Sequence, residues 1–210
     1  MENGQKKKKI KAVSRRVFLQ TLGGGAAGVS VASRILGKEP RLMFEGPGEL
    51  EMFTGKTISL TVNGKKRKIP AAADDTLLFI LRERLRLTGS KSVCNRGECG
   101  GCTVLLDGKP IYACHMLALQ ADGAEITTVE GLAAGDKLHP VQQAFIDKDA
   151  YQCGFCTPGF IMTSVALLNN NSQPTPGDIR VALSGNLCRC GNYQKIFAAV
   201  AAAAATMRRG

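Results

Sequence analysis

The chain has 210 residues, with 28 Lys and Arg against 17 Asp and Glu, and eight cysteines. Residues 1–41 hold ten of the basic and two of the acidic residues, so residues 42–210 carry 18 basic against 15 acidic residues. A folded part so close to neutral lacks the strong basic footprint of a nucleic-acid-binding protein, and we expect no nucleic-acid partner.

Residues 1–40 predict a signal for twin-arginine (Tat) export. The run Lys6–Lys9 is basic, and Arg15 and Arg16 stand directly before Val17–Leu19 and a weakly apolar, glycine-rich stretch. A basic region, paired arginines and an apolar region in this order are typical of Tat-type signals. The alternative is an ordinary basic N-terminal helix.

The apolar stretch of this signal is too short and too mild to predict a stable membrane span. Its nearest match to a cleavage site is Ser30–Ala32, which is weak, so cleavage stays open. The Tat machinery exports proteins that have already folded in the reducing cytosol, so thiols could cross with metal already bound. We therefore expect a periplasmic protein in which residues 41–54 link the signal to the folded part.

Residues 55–131 contain two predicted β-hairpins and a further strand. Asn63-Gly64 and Asp107-Gly108 supply the hairpin turns, with alternating polar and apolar residues on the flanking strands. The predicted strands are Thr57–Val62, a second strand ending at Pro70, Thr103–Leu106, Lys109–Ala113 and Glu125–Val129.

One helix is predicted between the two hairpins, capped by Asp74 or Asp75 and ending at Thr88-Gly89. Its apolar residues recur at helical spacing. They are Leu77, Leu78, Ile80, Leu81 and Leu85. Two hairpins, one helix and a late strand predict a small ferredoxin-like β-grasp domain.

Residues 132–210 lose the strand pattern and predict an all-α domain. Thr175-Pro176 is a favourable N-cap and first-turn pair for one of its helices. The predicted helices are His139–Lys148, Pro158–Asn169, Pro176–Leu183 and Asn192–Met207. The fold class is therefore α+β, an N-terminal β-grasp domain followed by a helical bundle.

The eight cysteines fall into two groups of four. The first group has a loop triad and a distant fourth member, at Cys94, Cys99, Cys102 and Cys114. This spacing is typical of the [2Fe-2S] cluster of plant-type ferredoxins. The second group is Cys153, Cys156, Cys188 and Cys190. Two groups of four thiolates predict two metal–sulfur centres and an electron carrier.

Three other interpretations of the cysteines have to be weighed. Zinc also takes four thiolates, but structural zinc sites usually place paired cysteines about two to four residues apart, whereas one residue separates Cys188 from Cys190. An even number of cysteines in an exported chain could instead form disulfides. A Rieske centre needs two histidine ligands. His115 and His139 lack suitably spaced partners, and we expect both to be surface or packing residues.

Three segments resemble the iron–sulfur subunit of the xanthine dehydrogenase family of molybdenum hydroxylases. They are Cys94–Cys102 (CNRGECGGC), Gln152–Gly159 (QCGFCTPG) and Gly185–Gly191 (GNLCRCG). The resemblance covers roughly residues 55–205. With the Tat-like leader, the chain is most similar to the small subunits of periplasmic aldehyde oxidoreductases.

This resemblance implies an electron-transfer subunit of an enzyme that oxidises an aldehyde or N-heterocycle. A large molybdopterin-binding subunit would bind the substrate, and an FAD-binding subunit or another acceptor would take the electrons. The second cysteine group would lie nearer the molybdenum cofactor, with Gln152 and Cys190 approaching the pterin. The first group would pass electrons outward, and no catalytic residue is expected on this chain.

A standalone two-cluster ferredoxin-like carrier, or a zinc-stapled structural module, is the alternative function. The alternatives differ in their need for a partner. A subunit of a larger enzyme should expose an apolar docking surface.

Overall fold

A computed structural model of the chain describes residues 55–209. The predicted export signal and linker lie outside the described residues. In the described part, a single sheet of five strands occupies residues 56–127, and four α-helices occupy residues 140–207.

The first hairpin pairs β1 (Lys56–Val62) with β2 (Lys65–Ala71) in antiparallel register. Asn63 and Gly64 have φ angles of +50° and +73°, as a type I′ turn requires. Every second residue from Ile58 to Val62 is buried, so the polar–apolar alternation of the sequence sets the inward face of the strand. The predicted hairpin is confirmed.

The second hairpin is also confirmed, and the last strand inserts between the two hairpins. The hairpin pairs β3 (Thr103–Leu106) with β4 (Lys109–Tyr112). The last strand, β5 (Glu125–Thr127), runs parallel to β1 and antiparallel to β3. The resulting strand order is β2-β1-β5-β3-β4. This mixed sheet carries the first cysteine group on the loop that enters β3 and on the turn that follows β4.

The helix between the hairpins is shorter than the sequence predicts, and its second part is wound more widely than an α-helix. One α-helical turn, α1 (Leu77–Phe79), continues as a π-helical turn over Ile80–Arg84. There Leu85 N donates to Ile80 O at 3.0 Å. The predicted inward face is correct for four residues, which are buried against the sheet. They are Leu77, Leu78, Ile80 and Leu81.

The predicted aspartate cap of this helix, Asp74 or Asp75, is wrong. The N-cap is Thr76, whose Oγ accepts a hydrogen bond from the backbone N–H three residues further on at 3.2 Å. Asp75 is engaged elsewhere, because its Oδ2 accepts from Ala72 N and from Arg84 Nη2, each at 2.9 Å. These contacts orient its carboxylate towards the preceding turn and the end of the helix.

The four predicted helices of the second half are present, with ends within one residue of the prediction. Thr175 caps the third of them by accepting a hydrogen bond from Asp178 N at 3.1 Å, as its sequence predicts. In the numbering used below, the helices are α2 (Pro140–Asp147), α3 (Thr157–Asn170), α4 (Pro176–Ala182) and α5 (Tyr193–Met207). Within residues 55–209, none of the helices has the length and apolar character to cross a bilayer.

Two clusters of buried side chains form the core. One lies between the sheet and α1, and the other lies among the four later helices. Leu105 of β3 belongs to the helical cluster, not to the cluster of its own sheet. The outer face of β3 is thus covered by the helices, and the two halves share a packed contact.

His139 begins α2 as its N-cap, in line with the expectation of a packing residue. Its Nδ1 accepts a hydrogen bond from Val141 N at 3.2 Å, and burial lowers the pKa of His139 below its ordinary value of 6.5. The cap requires the neutral ring. Its contribution to stability is therefore present above pH 6.5 and is lost as the pH falls through the lowered pKa of the folded state.

We expect His139→Ala to reduce the free energy of unfolding by about 1 kcal/mol at neutral pH, as loss of an N-cap does elsewhere. The loss should shrink at acid pH, where the wild-type ring is protonated. Denaturant unfolding across this pH range checks the prediction. His139→Asn is the control, because asparagine caps helices without titrating; an equal pH dependence in this variant would contradict the assignment.

Candidate iron–sulfur centres

The first cysteine group surrounds the entry to the second hairpin. Cys94, Cys99 and Cys102 lie on the irregular segment that leads from the π-helical turn into β3. Cys114 follows β4 in a short 3-10 turn, Ala113–His115. Because β3 and β4 are paired, Cys102 and Cys114 meet at the same end of the hairpin, where Cys114 N lies 3.5 Å from Cys102 Sγ.

The second cysteine group lies near the ends of helices. Cys153 lies on the loop before α3, and Cys156 is the N-cap residue of that helix. Cys188 and Cys190 lie on the segment between α4 and α5. None of the eight cysteines is joined to another by a disulfide bond, which argues against a disulfide framework.

Within each group the thiols lie in pairs. Cys153 Sγ and Cys190 Sγ are 3.4 Å apart. Cys99 affects the pKa of Cys94, Cys114 that of Cys102, and Cys188 that of Cys156, so these thiols are also near neighbours. In the described residues, no three Cys, His, Asp or Glu side chains converge on one point as a single metal ion would need. A [2Fe-2S] cluster has two irons that share four protein ligands, so pairs of thiols suit it.

Backbone N–H groups surround these sulfurs and favour their negative form. The N–H of Arg96 is the main reason why the pKa of Cys94 falls to about 6, helped by the N–H groups of Glu98 and Cys99. In the second group, Asn192 N lies 3.4 Å from Cys188 Sγ. Such donors stabilise thiolate ligands and tune the reduction potential of an iron–sulfur cluster.

Two of the thiols lie in surroundings that disfavour a negative charge, so their thiolate forms would need a nearby cation. Burial raises the pKa of Cys102 to about 12, and burial raises the pKa of Cys156 to about 12, with further contributions from neighbouring cysteines. A bound metal deprotonates a coordinating thiol outright and compensates the buried charge. The donor set and its surroundings therefore fit iron–sulfur clusters.

Glycine is required at two points of the first cysteine loop. Gly97 and Gly100 have φ angles of +75° and +68°, a backbone conformation that glycine adopts without strain. Gly100 has a second function that the sequence did not indicate. A Cβ atom there would collide with the side-chain nitrogen of Asn186, from the second cysteine segment.

The two cysteine segments, Cys94–Cys102 and Gly185–Gly191, contact each other directly. Leu187 N donates a hydrogen bond to Cys99 O at 3.0 Å, and Tyr112 Oη donates to Gly185 O at 2.8 Å. Sequence reasoning missed Tyr112 and predicted no function for Asn186, although Asn186 lies in the quoted segment Gly185–Gly191. The sequence does not show these contacts, because the partners lie far away along the chain.

The second group is the more exposed one. Cys153 and Cys190 are exposed, whereas Cys188 is buried and Cys156 is half-buried. Gln152 is exposed beside Cys153, where a partner could reach both residues. The first group has no fully exposed cysteine.

Three exposed apolar side chains border a narrow cleft between the two groups. Val93, Phe155 and Leu187 are 52%, 57% and 55% exposed. They line the cleft together with Cys99, Cys153 and other residues of both groups. We call Val93, Phe155 and Leu187 the apolar rim. Large exposed apolar side chains in one place are typical of a protein interface.

Two protein families of known domains match the chain. A 2Fe-2S iron-sulfur cluster binding domain matches residues 60–133, and a [2Fe-2S] binding domain matches residues 128–201. Each match contains one of the two cysteine groups. These matches favour iron over zinc for both groups.

The chain is also similar to named proteins over most of its described part. It is 51% identical over 144 residues to the nicotinate dehydrogenase small FeS subunit of Eubacterium barkeri, covering 69% of this chain and 92% of that protein. It is 44% identical over 166 residues to the aldehyde oxidoreductase iron-sulfur-binding subunit PaoA of Escherichia coli K12, covering 72% of each. The crystal structure of quinoline 2-oxidoreductase from Pseudomonas putida 86 matches with a TM-score of 0.72 at 44% identity, covering 75% of this chain and 98% of that one.

Proposed function

Because the chain belongs to the iron–sulfur subunits of the xanthine dehydrogenase family of molybdenum hydroxylases, we propose that its two cysteine groups form a directed path for electrons. The chain is the electron-transfer subunit of a molybdenum-dependent oxidoreductase and carries two [2Fe-2S] clusters. When bound, these clusters supply reversible one-electron chemistry. The partner that follows from this membership is a molybdopterin-binding subunit.

We infer the ligands of the individual irons from the four thiol pairs. Cys94 with Cys99 and Cys102 with Cys114 would each hold one iron of the first cluster. The pairs of the second group, Cys153 with Cys190 and Cys156 with Cys188, would hold the two irons of the second cluster. This pairing rests on the contact of Cys153 with Cys190 and on which other thiols are near neighbours, and it uses all eight cysteines.

The exposure of Cys153 and Cys190 in the second group supports the proposed direction of electron transfer. Cys153 and Cys190 face outward, and Phe155 and Leu187 of the apolar rim stand exposed beside the two segments. We place the molybdopterin subunit on this surface, with Gln152 and Cys190 nearest the pterin. Electrons would enter at Cys190 and Cys153, and they would leave from the first group towards an FAD-binding subunit or another acceptor.

The domain boundaries remain part of this proposal. We assign residues 55–131 to a ferredoxin-like β-grasp domain and residues 132–210 to a helical-bundle domain. The strand order, with β5 between β1 and β3, supports the first assignment. The separate buried cluster among the helices supports the second.

Truncation of the apolar rim tests the docking surface. Phe155→Ala should weaken binding of the large subunit by roughly 30-fold, because truncating a central aromatic side chain of an interface costs about 2 kcal/mol or more. The dissociation constant of the reconstituted complex, measured at equal iron content, checks the prediction. Ile146→Ala is the matched control, since Ile146 is 48% exposed on α2 outside the cleft. Equal effects of the two changes would rule out the rim as the interface.

We further propose that the chain is exported by the Tat machinery and works in the periplasm. Support for this comes from the sequence alone, in the position of Arg15 and Arg16 before the apolar stretch. Cluster assembly before export would explain how eight reduced thiols reach an oxidising compartment.

Replacing Arg15 and Arg16 together with lysine should leave both clusters assembled but retain the protein in the cytosol. The twin arginines are the feature by which this export route is recognised, and lysine preserves only their charge. Cell fractionation with iron analysis of each fraction measures the outcome. The control replaces Lys6 and Lys7 with arginine, which keeps the charge and leaves the arginine pair intact. An unchanged periplasmic amount in the first variant would contradict a Tat signal on this chain.

A further inference from the structure

Two neighbouring hydrogen bonds join the cysteine segments. Leu187 N donates to Cys99 O at 3.0 Å, and Asn186 Nδ2 donates to Gly100 O at 3.1 Å. Cys99 is a proposed ligand of the first cluster, and Leu187 directly precedes Cys188, a proposed ligand of the second. A path of covalent bonds with one hydrogen bond in it therefore connects Cys99 Sγ to Cys188 Sγ.

The side chain of Asn186 is held at both ends. Asn186 is 3% exposed, and its Oδ1 accepts a hydrogen bond from Thr163 Oγ on α3 at 2.9 Å. A buried amide costs free energy unless its polar atoms are paired. Rotation of this side chain would break its contact with Thr163 or with Gly100, so the observed orientation is fixed. Helix α3 thus positions Asn186, and Asn186 positions the carbonyl of Gly100.

The surrounding backbone leaves little room for another arrangement. A Cβ atom on Gly159, in the first turn of α3, would collide with Gly100 O. The same carbonyl oxygen accepts a hydrogen bond from Thr103 Oγ at 2.7 Å. Gly100 O is therefore enclosed by α3, by the start of β3 and by Asn186. Of these contacts, only the one from Asn186 links it to the second cysteine segment through a side chain.

We propose that Asn186 is a positioning residue for electron transfer between the two clusters. By fixing Gly100, it keeps the adjacent Cys99 carbonyl within hydrogen-bond distance of Leu187 N. Without the amide, this backbone hydrogen bond lengthens and the path between the ligands includes a gap. The inference rests on the proposed function, in which electrons pass from the second group to the first.

Asn186→Leu and Asn186→Ala test the inference in the purified complex with its large subunit. Leucine has the same branching and the same number of side-chain heavy atoms as asparagine but forms no hydrogen bond, whereas alanine also opens a void. Tyr112→Phe is the control, because it removes a different hydrogen bond to the second cysteine segment, from β4 to Gly185 O, one that does not adjoin a cysteine. Iron content is measured first, so that all variants are compared with both clusters present.

The main readout is the magnetic interaction between the two reduced clusters in low-temperature electron paramagnetic resonance spectra. Each reduced cluster carries one unpaired electron, and the splitting depends on their separation and on the bonds between them. We expect a smaller splitting in the Asn186 variants than in the wild type and in Tyr112→Phe. In freeze-quench samples taken after substrate is added, reduction at the first group should lag behind that at the second only in the Asn186 variants.

Wild-type splitting and wild-type order of reduction in Asn186→Leu would overturn the inference. Equal losses in Tyr112→Phe would also overturn it, because Asn186 would then act only as a general contact between the segments. Failure of both Asn186 variants to hold iron, with Tyr112→Phe intact, would make Asn186 a folding residue instead. If the wild-type clusters were not reduced by substrate at all, the proposed function itself would fail, which is a distinguishable result.

Discussion

Replacing Cys190 with serine should abolish the paramagnetic signal of the second cluster and keep that of the first. Cys190 Sγ lies 3.4 Å from Cys153 Sγ, and the two thiols form the exposed pair of the second group. A serine hydroxyl remains protonated where a thiol ionises, so it is a poor substitute ligand for iron. We expect electron flow from substrate to fall at least about a hundredfold, since loss of residues that only support metal ligands already costs about 10- to 100-fold.

The reciprocal variant, Cys94→Ser, is the matched control for this experiment. Cys94 belongs to the first group, where the N–H of Arg96 lowers the pKa of its thiol. Its replacement should remove the signal of the first cluster and leave that of the second. Loss of the first signal in the Cys190 variant would mean that the cysteines are assigned to the wrong groups.

Removal of iron from the intact chain should unfold much of it as well as inactivate it. The two proposed domains have fewer than about 80 residues each, a size at which a hydrophobic core alone is marginal. The segment with Cys94, Cys99 and Cys102 has no regular secondary structure to hold it. Binding of a structural metal is coupled to folding in such small domains.

We expect the melting temperature of the iron-free chain to fall by roughly 10 °C or more, which corresponds to a loss of about 2 kcal/mol or more in a domain of this size. Far-UV circular dichroism and thermal unfolding before and after chelation measure this effect. Reconstitution with iron and sulfide is the control and should restore both. Full retention of ellipticity and melting temperature without iron would contradict a structural function of the clusters.

The features that were predicted best from the sequence are those determined by residues adjacent along the chain. Asn63-Gly64 and Asp107-Gly108 specify tight turns through their own backbone preferences, and both turns have positive φ angles. The N-cap of α1 was missed because Asp75 and Thr76 are both good caps. The choice between them depends on Arg84, which binds Asp75 only in the folded chain.

In the candidate site, too, features set by local sequence were predicted, and features set by distant contacts were not. Cysteine spacing identified all eight candidate ligands, since the number of residues between the cysteines is itself typical of a type of metal centre. Asn186 and Tyr112 could not be found in this way. Their hydrogen-bond partners lie 86 and 73 residues away along the chain, and only the packing of α3 against the sheet brings them together. Leu105, which joins the helical core from β3, was missed for the same reason.

The most direct test is metal analysis and paramagnetic resonance spectroscopy of the tagged protein purified from its native host. We expect about four irons per chain in two distinguishable [2Fe-2S] signals, a co-purifying large subunit that contains molybdenum, and reduction of both signals by an aldehyde or N-heterocycle substrate. Zinc in place of iron, or two iron–sulfur clusters with neither molybdenum nor a large partner, would contradict this expectation.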